Sequence, residues 1–366
     1  MTSAGVMRVI ESLNPIGATE EVFFSVTEAM LTATNVPETK PAAYNGATTY
    51  ADGDLVSVSA SGNAFDVYES LQAGNTGNTP ASSPTFWKLL ARTYGVYAAG
   101  TYALGDRVID ATTHLQYVSL EASNTAAPTD TAKWRLEGPT NRWRLFDLKR
   151  NQVTTVASPL IVEITPGKRV DAIGLTGLVA DEITIEVIVG GHVMETFTDS
   201  LSTRNTTTWS QYFFGEFTYK SRYSRFDLPP YSSATVRITL ERASGDVSCG
   251  RMVLNKHVFL GEVEAEADDD ALNFSSVTRE FDGTTTLVPR RSAPTVACRV
   301  WCDKDNVPAA RALRDRLPAT PAFWSGLTDT DSGYYDSVTI LGFYTRFRIG
   351  LDHPDNAPID LEIEEA

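Results

Sequence analysis

The residues of this chain whose types and spacing could do chemistry are aromatic, and they occur twice. Tyr50, Tyr68 and Trp87 lie in one copy of a segment, and Tyr102, Tyr117 and Trp134 lie in a second copy. Each copy starts with Tyr-x-x-Gly-Asp-x-Val: Tyr50, Gly53, Asp54 and Val56, then Tyr102, Gly105, Asp106 and Val108. Asn75 and Pro80 in the first copy are echoed by Asn124 and Pro128 in the second. Flat aromatic faces stack on the C–H faces of sugar rings while nearby Asn and Asp side chains bond the hydroxyls, so all six rings are candidate glycan-binding residues. The competing reading is that a unit of under about 50 residues cannot build an aliphatic core and must pack on its own aromatics. Either way, a duplicated small unit with fixed aromatics marks a binding module rather than a catalytic one.

Other chemistry has little to stand on. The four histidines, His114, His192, His257 and His353, form no His-x-x-x-His pair and adjoin no Gly-x-Ser-x-Gly turn. Val189-Gly190-Gly191 reads as a hairpin turn rather than a phosphate-cradling loop. The acidic stretch from Glu262 to Asp270 lacks the alternating acid and glycine pattern of a calcium loop and reads as a solvated linker. Three cysteines, Cys249, Cys298 and Cys302, are too few for a zinc site or a disulfide framework and are expected to be buried thiols. No pair of carboxylates is singled out among the 46 acidic residues. The expectation is a protein that is not an enzyme, with no catalytic, cofactor-binding or metal-binding residues.

A formal net charge of -15 argues against nucleic acid as a partner, because phosphate binding needs a local excess of Lys and Arg. The most basic run, Arg142, Arg144, Lys149 and Arg150, is interrupted by Trp143, Leu145 and Phe146 and reads as a strand with a polar face. No apolar stretch approaches the roughly 18 residues that span a bilayer, and no signal-peptide pattern opens the chain, so synthesis in a cytoplasm without membrane insertion is expected.

The 366 residues, 42% hydrophobic and 21% charged, predict several folded domains. The fold class expected is mainly β: tandem small β modules, then a β-sandwich, then a small α+β domain. Residues 1–42 read as an arm with short strands, from the alternations at Val6–Ile10 and Glu20–Thr27, that adds to a later sheet or reaches a neighbouring subunit. Modules follow at 43–90 and 91–138. Residues 139–265 contain alternating runs such as Leu160–Ile164, Ile183–Val189 and Ala234–Leu240, the pattern of a sandwich. Residues 266–366 hold one convincing helix, Pro308–Leu317, opened by Pro308 and closed by Pro318.

The Tyr-x-x-Gly-Asp-x-Val pattern, with its internal Tyr and late Trp, resembles the type-3 chitin-binding fold, a small carbohydrate-binding module of chitinases and many phage tail proteins. The remaining chain is similar to bacteriophage tail proteins that combine such modules with two β-rich domains. That similarity sits in Thr32-Ala33-Thr34-Asn35-Val36-Pro37-Glu38, in Pro139-Thr140-Asn141-Arg142-Trp143-Arg144-Leu145-Phe146-Asp147, in Trp209-x-x-Tyr212-Phe213-Phe214 of the sandwich and in Leu341-Gly342-Phe343-Tyr344. The resemblance implies a structural component of a tail tip or baseplate, assembled in the bacterial cytoplasm, homo-oligomeric in the virion. Its implied partners are other tail and baseplate proteins and host surface glycans. A polysaccharide-degrading tail enzyme and a purely architectural adaptor are the alternatives.

Overall fold

A computed structural model describes residues 3–14, 22, 24–149, 152–204, 208–215, 217–351 and 353–366. The fold is mainly β, 49% strand and 8% helical. Glu20, Glu21 and Phe23 of the expected Glu20–Thr27 strand, and Arg150 of the basic run, lie outside the described residues; of the rest of that stretch, Phe24 makes an isolated bridge to Asp147 and no strand forms.

Each repeat copy folds into three antiparallel strands. In the first, Leu55–Ser59, Ala64–Ser70 and Trp87–Val96 lie side by side; in the second, Arg107–Asp110, Leu115–Ser119 and Trp134–Pro139 do the same. The tight connections need left-handed backbone, supplied at Asn63 (φ 57°) and His114 (φ 61°). The copies do not stand apart. Gly95 pairs with Val108 and Val96 with Ile109 in parallel, which fuses the copies into one six-stranded sheet. Asn63 reinforces the seam by donating from Nδ2 to the Arg107 carbonyl at 2.7 Å. The 90/91 boundary therefore cuts through the strand Trp87–Val96, and the 138/139 boundary cuts through Trp134–Pro139.

The sandwich packs a five-stranded sheet, ordered His192–Ser200, Glu182–Val189, Thr235–Glu241, Leu160–Ile164 and Leu31–Thr34, on a three-stranded sheet of Arg222–Arg225, Ala172–Thr176 and Arg251–Asn255. Period-two alternation aims Ile183, Ile185, Val236, Ile238, Val162 and Ile164 inward, onto Ile173, Leu175, Met252 and Leu254. Each such side chain contributes about 1.5–3 kcal/mol by leaving water.

The C-terminal region closes on itself. His257–Glu264, Ser3–Ile10, Ala322–Ser325, Thr339–Ile349, Asn356–Glu365 and Ser292–Asp303 pair in that order, and Glu262 and Val263 pair back with Trp301 and Val300. The result is a six-stranded antiparallel barrel, with Asp268–Asn273 added outside Ser292–Asp303. Helix Val307–Arg316 buries Ala310 and Leu313 in the same core, and Tyr344 Oη donates to the Arg314 carbonyl at 2.9 Å. Gly174 of the sandwich lies under the Phe323 ring of the barrel, where a Cβ would strike the ring atoms. This approach joins the two units through a small shared cluster of Ile10, Ala172, Val253, Phe323 and Leu341.

Residues 1–42 add strands to later sheets, the first of the two roles expected of the arm: Ser3–Ile10 fills a barrel position and Leu31–Thr34 extends the sandwich sheet. Other expectations change. The sandwich and C-terminal regions share residues across the 265/266 boundary, since His257–Glu264 belongs to the barrel. The acidic stretch is not a linker: backbone pairing places its ends in the strands His257–Glu264 and Asp268–Asn273. The basic run is not a strand. Trp143, Leu145 and Phe146 are buried around a 3-10 turn, Arg144–Phe146, leaving no alternating face. No helix of the described residues is long and apolar enough to cross a membrane.

Deletion of residues 1–10 leaves unpaired edges on His257–Glu264 and Ala322–Ser325 and strips Met7, Val9 and Ile10 from the core. We expect a loss of several kcal/mol, from about 1.5–3 per buried apolar side chain, with aggregation through the open edges. Calorimetry with light scattering measures both; an unchanged melting profile contradicts the closed barrel.

Candidate functional site

The two module copies solve the same packing problem with the same atoms. In the first, Tyr44, Tyr50 and Trp87 form a triad: Tyr50 lies 5.1 Å from Trp87 edge-on and 6.0 Å from Tyr44 in a stack. In the second, Tyr102 lies 5.2 Å from Trp134 edge-on and 5.9 Å from Tyr97 in a stack. Edge-to-face and offset geometry is what ring quadrupoles favour. The indole N–H groups are used internally, Trp87 Nε1 donating to the Asn78 carbonyl at 2.8 Å and Trp134 Nε1 to the Ala126 carbonyl at 2.9 Å. Tyr50 Oη accepts from the Asn45 amide at 2.8 Å, as Tyr102 Oη accepts from the Ala98 amide at 3.1 Å.

The polar residues of the repeat brace these rings. Asp54 Oδ2 accepts from the Ala51 amide at 2.7 Å, and Asp106 Oδ2 from the Ala103 amide at 2.8 Å. Gly53 (φ 82°) and Gly105 (φ 86°) take the left-handed turn that follows, a conformation costly to any residue with a Cβ. Asn75 Nδ2 donates to Ser70 Oγ at 3.1 Å and Asn124 Nδ2 to Ser119 Oγ at 3.1 Å, both within buried side chains. Tyr50 pairs with Asn75 across a short ladder, and Tyr102 bridges Asn124. The Tyr, Asp, Asn and Trp side chains named here are thus occupied in holding each small unit together.

The six candidate rings fare accordingly. Tyr50, Tyr68, Trp87 and Trp134 are buried, with Trp87 2% and Trp134 1% exposed. A ring enclosed on both sides offers no face to a sugar, so these four form module core. Tyr102 and Tyr117 are half-buried, Tyr102 against its triad and Tyr117 against the large core beneath. The structure does not gather the six into one surface: Tyr50, Tyr68 and Trp87 share the first module's core, Tyr102 and Trp134 pack together in the second, and Tyr117 packs on the large core.

Beneath the second module lies a buried polar junction. Glu38 is 6% exposed, and its Oε1 accepts from Thr140 Oγ1 at 2.8 Å and lies 3.0 Å from His114 Nδ1. The His114 ring stacks on Trp143 at 3.9 Å, and Arg142 Nε donates to the Val36 carbonyl at 2.8 Å. Residues 32–38 and 139–147, distant in sequence, are therefore one structural unit.

Sequence reasoning placed Trp209, Tyr212, Phe213 and Phe214 within the sandwich. They lie instead on a six-residue helix, Trp209–Phe214, at the end of a two-stranded extension formed by Ser202–Arg204 and Phe217–Tyr219. All four rings are exposed, Trp209 at 80% and Phe214 at 85%. The readable signal was Thr208-x-x-Gln211, a capping box that the structure forms, with Thr208 Oγ1 accepting from the Gln211 amide at 3.2 Å. The chain matches no protein-family model, and comparison with curated proteins finds no match.

Among the described residues, no group of three or more His, Cys, Asp or Glu could hold a metal ion. The three thiols are buried, and burial pushes Cys249 and Cys298 up to about 12. Two measurements follow. Trp87→Ala or Trp134→Ala should lower stability by about 3–5 kcal/mol in urea unfolding, as for other large-to-small core changes; an unchanged midpoint returns these rings to the surface. Iodoacetamide at pH 8 should leave Cys249 and Cys298 unmodified until denaturant is added, because the thiolate is the reacting species; rapid native labelling contradicts the burial.

Proposed function

We propose that this chain is a structural subunit of a bacteriophage tail tip or baseplate, held to neighbouring tail proteins through projecting apolar elements. The observation that carries the reading is the aromatic knob: four large rings on one capped helix, exposed together. A folded protein rarely keeps a contiguous apolar patch in water unless another surface covers it, and Trp and Tyr are the residues most often found as interface anchors. The tail setting rests on the resemblance of residues 32–38, 139–147, 209–214 and 341–344, of which the first two meet at the Glu38 junction. Fusion of the two modules into one sheet favours the architectural side of this role. Contact with host glycans belongs to the proposal only through surfaces other than the four buried rings. The proposed place of the protein is the virion, reached by assembly in the bacterial cytoplasm.

A Trp209→Ser/Phe213→Ser/Phe214→Ser variant tests the reading. Because these rings are solvent-exposed, isolated stability should change by no more than about 0.5 kcal/mol per site. Incorporation into particles, measured by complementing a gene deletion and probing purified virions, should fall at least tenfold. Normal incorporation contradicts the proposal.

A further inference from the structure

A second projection is built from residues 268–295. Asp268–Asn273 pairs with the start of Ser292–Asp303, and Ser276–Arg279 pairs with Thr285–Val288, so the two strands run on as one ribbon beyond the barrel. Its tip is ordered by its own bonds: Gly283 (φ 87°) turns the chain, and Asp282 Oδ1 accepts from the Thr284 amide at 2.9 Å and from Thr284 Oγ1 at 2.7 Å. Where the two ladders shift register, Ser275 Oγ accepts from the Arg290 amide at 2.9 Å and donates to the Arg290 carbonyl at 3.1 Å. The ribbon is therefore a constructed element, not a loose loop.

It has no core of its own. Val277 and Leu287 sit opposite one another and are 60% and 65% exposed, and Phe274, Phe281 and Val288 are exposed with them. A lone two-stranded hairpin is marginal in water, and exposed strand edges with apolar side chains are templates for further pairing. Among the described residues, the outer edges of Asp268–Asn273 and Thr285–Val288 pair with no other strand. The two edges also differ in charge. The outgoing strand begins with Asp268, Asp269 and Asp270, while the returning strand carries Arg290, all of them exposed.

We propose that the ribbon joins copies of this chain, the outgoing edge of one ribbon pairing with the returning edge of the next. Adjacent strands then alternate in direction across the contact and continue an antiparallel sheet, with acidic residues of one copy against Arg290 of the next. Contact is head to tail, which closes into a ring when the rotation permits. Asp270 lies across the ribbon from Thr295, whereas Arg290 lies beside Ser275. Bringing Asp270 of one copy to Arg290 of the next offsets adjacent ribbons by about five residues, roughly 17 Å at about 3.3 Å per residue, the kind of stagger that closed sheets require. This inference rests on the reading of the chain as an assembly subunit and names a second copy as the occupant of one of its surfaces.

Sedimentation velocity of the purified full chain tests it, with native mass spectrometry to count copies. The wild type should form a discrete oligomer. Asp270→Arg and Arg290→Asp should each weaken assembly at least tenfold, and the two together in one chain should restore it, a rescue that a folding defect cannot imitate. Val277→Ser/Leu287→Ser should remain folded and monomeric. A wild type that stays monomeric, or an oligomer indifferent to all these changes, overturns the ribbon contact. Either result leaves the knob-dependent incorporation described above to stand or fall by itself.

Discussion

A closed sheet tolerates no missing strand, and here the missing strand comes from the other end of the chain. Ser3–Ile10 sits between His257–Glu264 and Ala322–Ser325, satisfying backbone groups on both sides while Met7 and Val9 enter the barrel core. Unpaired buried amides and carbonyls cost free energy comparable to lost hydrogen bonds, so the barrel depends on this insertion. The sandwich depends on the next strand of the chain in a smaller way, through Leu31–Thr34 at its edge. A few residues further on, Glu38 is enclosed with His114, Thr140 and Arg142 beneath the second module. The first forty residues thus stitch together units that are distant in sequence.

That stitching frames what the modules can do. Their aromatics, Asn side chains and Gly-Asp turns are committed to two matching braces, and their sheet continues across the seam at Gly95 and Val96. They form one continuous sheet rather than two separate units. Groups of exposed aromatic and aliphatic side chains lie on the Trp209–Phe214 knob and on the ribbon above the barrel. A body with two apolar projections fits the proposed role of a part positioned by its neighbours.

What was legible in the sequence followed local rules. Alternation marked strands at Leu160–Ile164, Ile183–Val189 and Ala234–Leu240, Gly190 and Gly191 marked the hairpin from Glu182–Val189 to His192–Ser200, and Pro308 opened a helix whose Ala310 and Leu313 are buried. The repeat was visible because each copy must solve the same small packing problem. Whether its rings faced inward was not visible: a Tyr beside an Asn loop has the same composition as a sugar-stacking residue and as a brace, and only burial separates them. Long-range closure was equally hidden. Nothing local in Val6–Ile10 names His257–Glu264 as a partner, and the acids from Glu262 to Asp270 read as solvated because a strand edge with charged side chains has a linker's composition. The basic run misled for a related reason, since Trp143, Leu145 and Phe146 are buried at a junction that includes distant residues, Phe24 against Trp143 and the Val36 carbonyl on Arg142.

Hydrogen exchange of the intact protein, read peptide by peptide, tests the stitching most directly. Amides of residues 5–10 should exchange as slowly as those of residues 296–302 and 340–344, because all belong to one closed ladder and open together. Exchange of residues 5–10 at the rate of an unstructured segment, with the rest of the barrel still protected, contradicts the account.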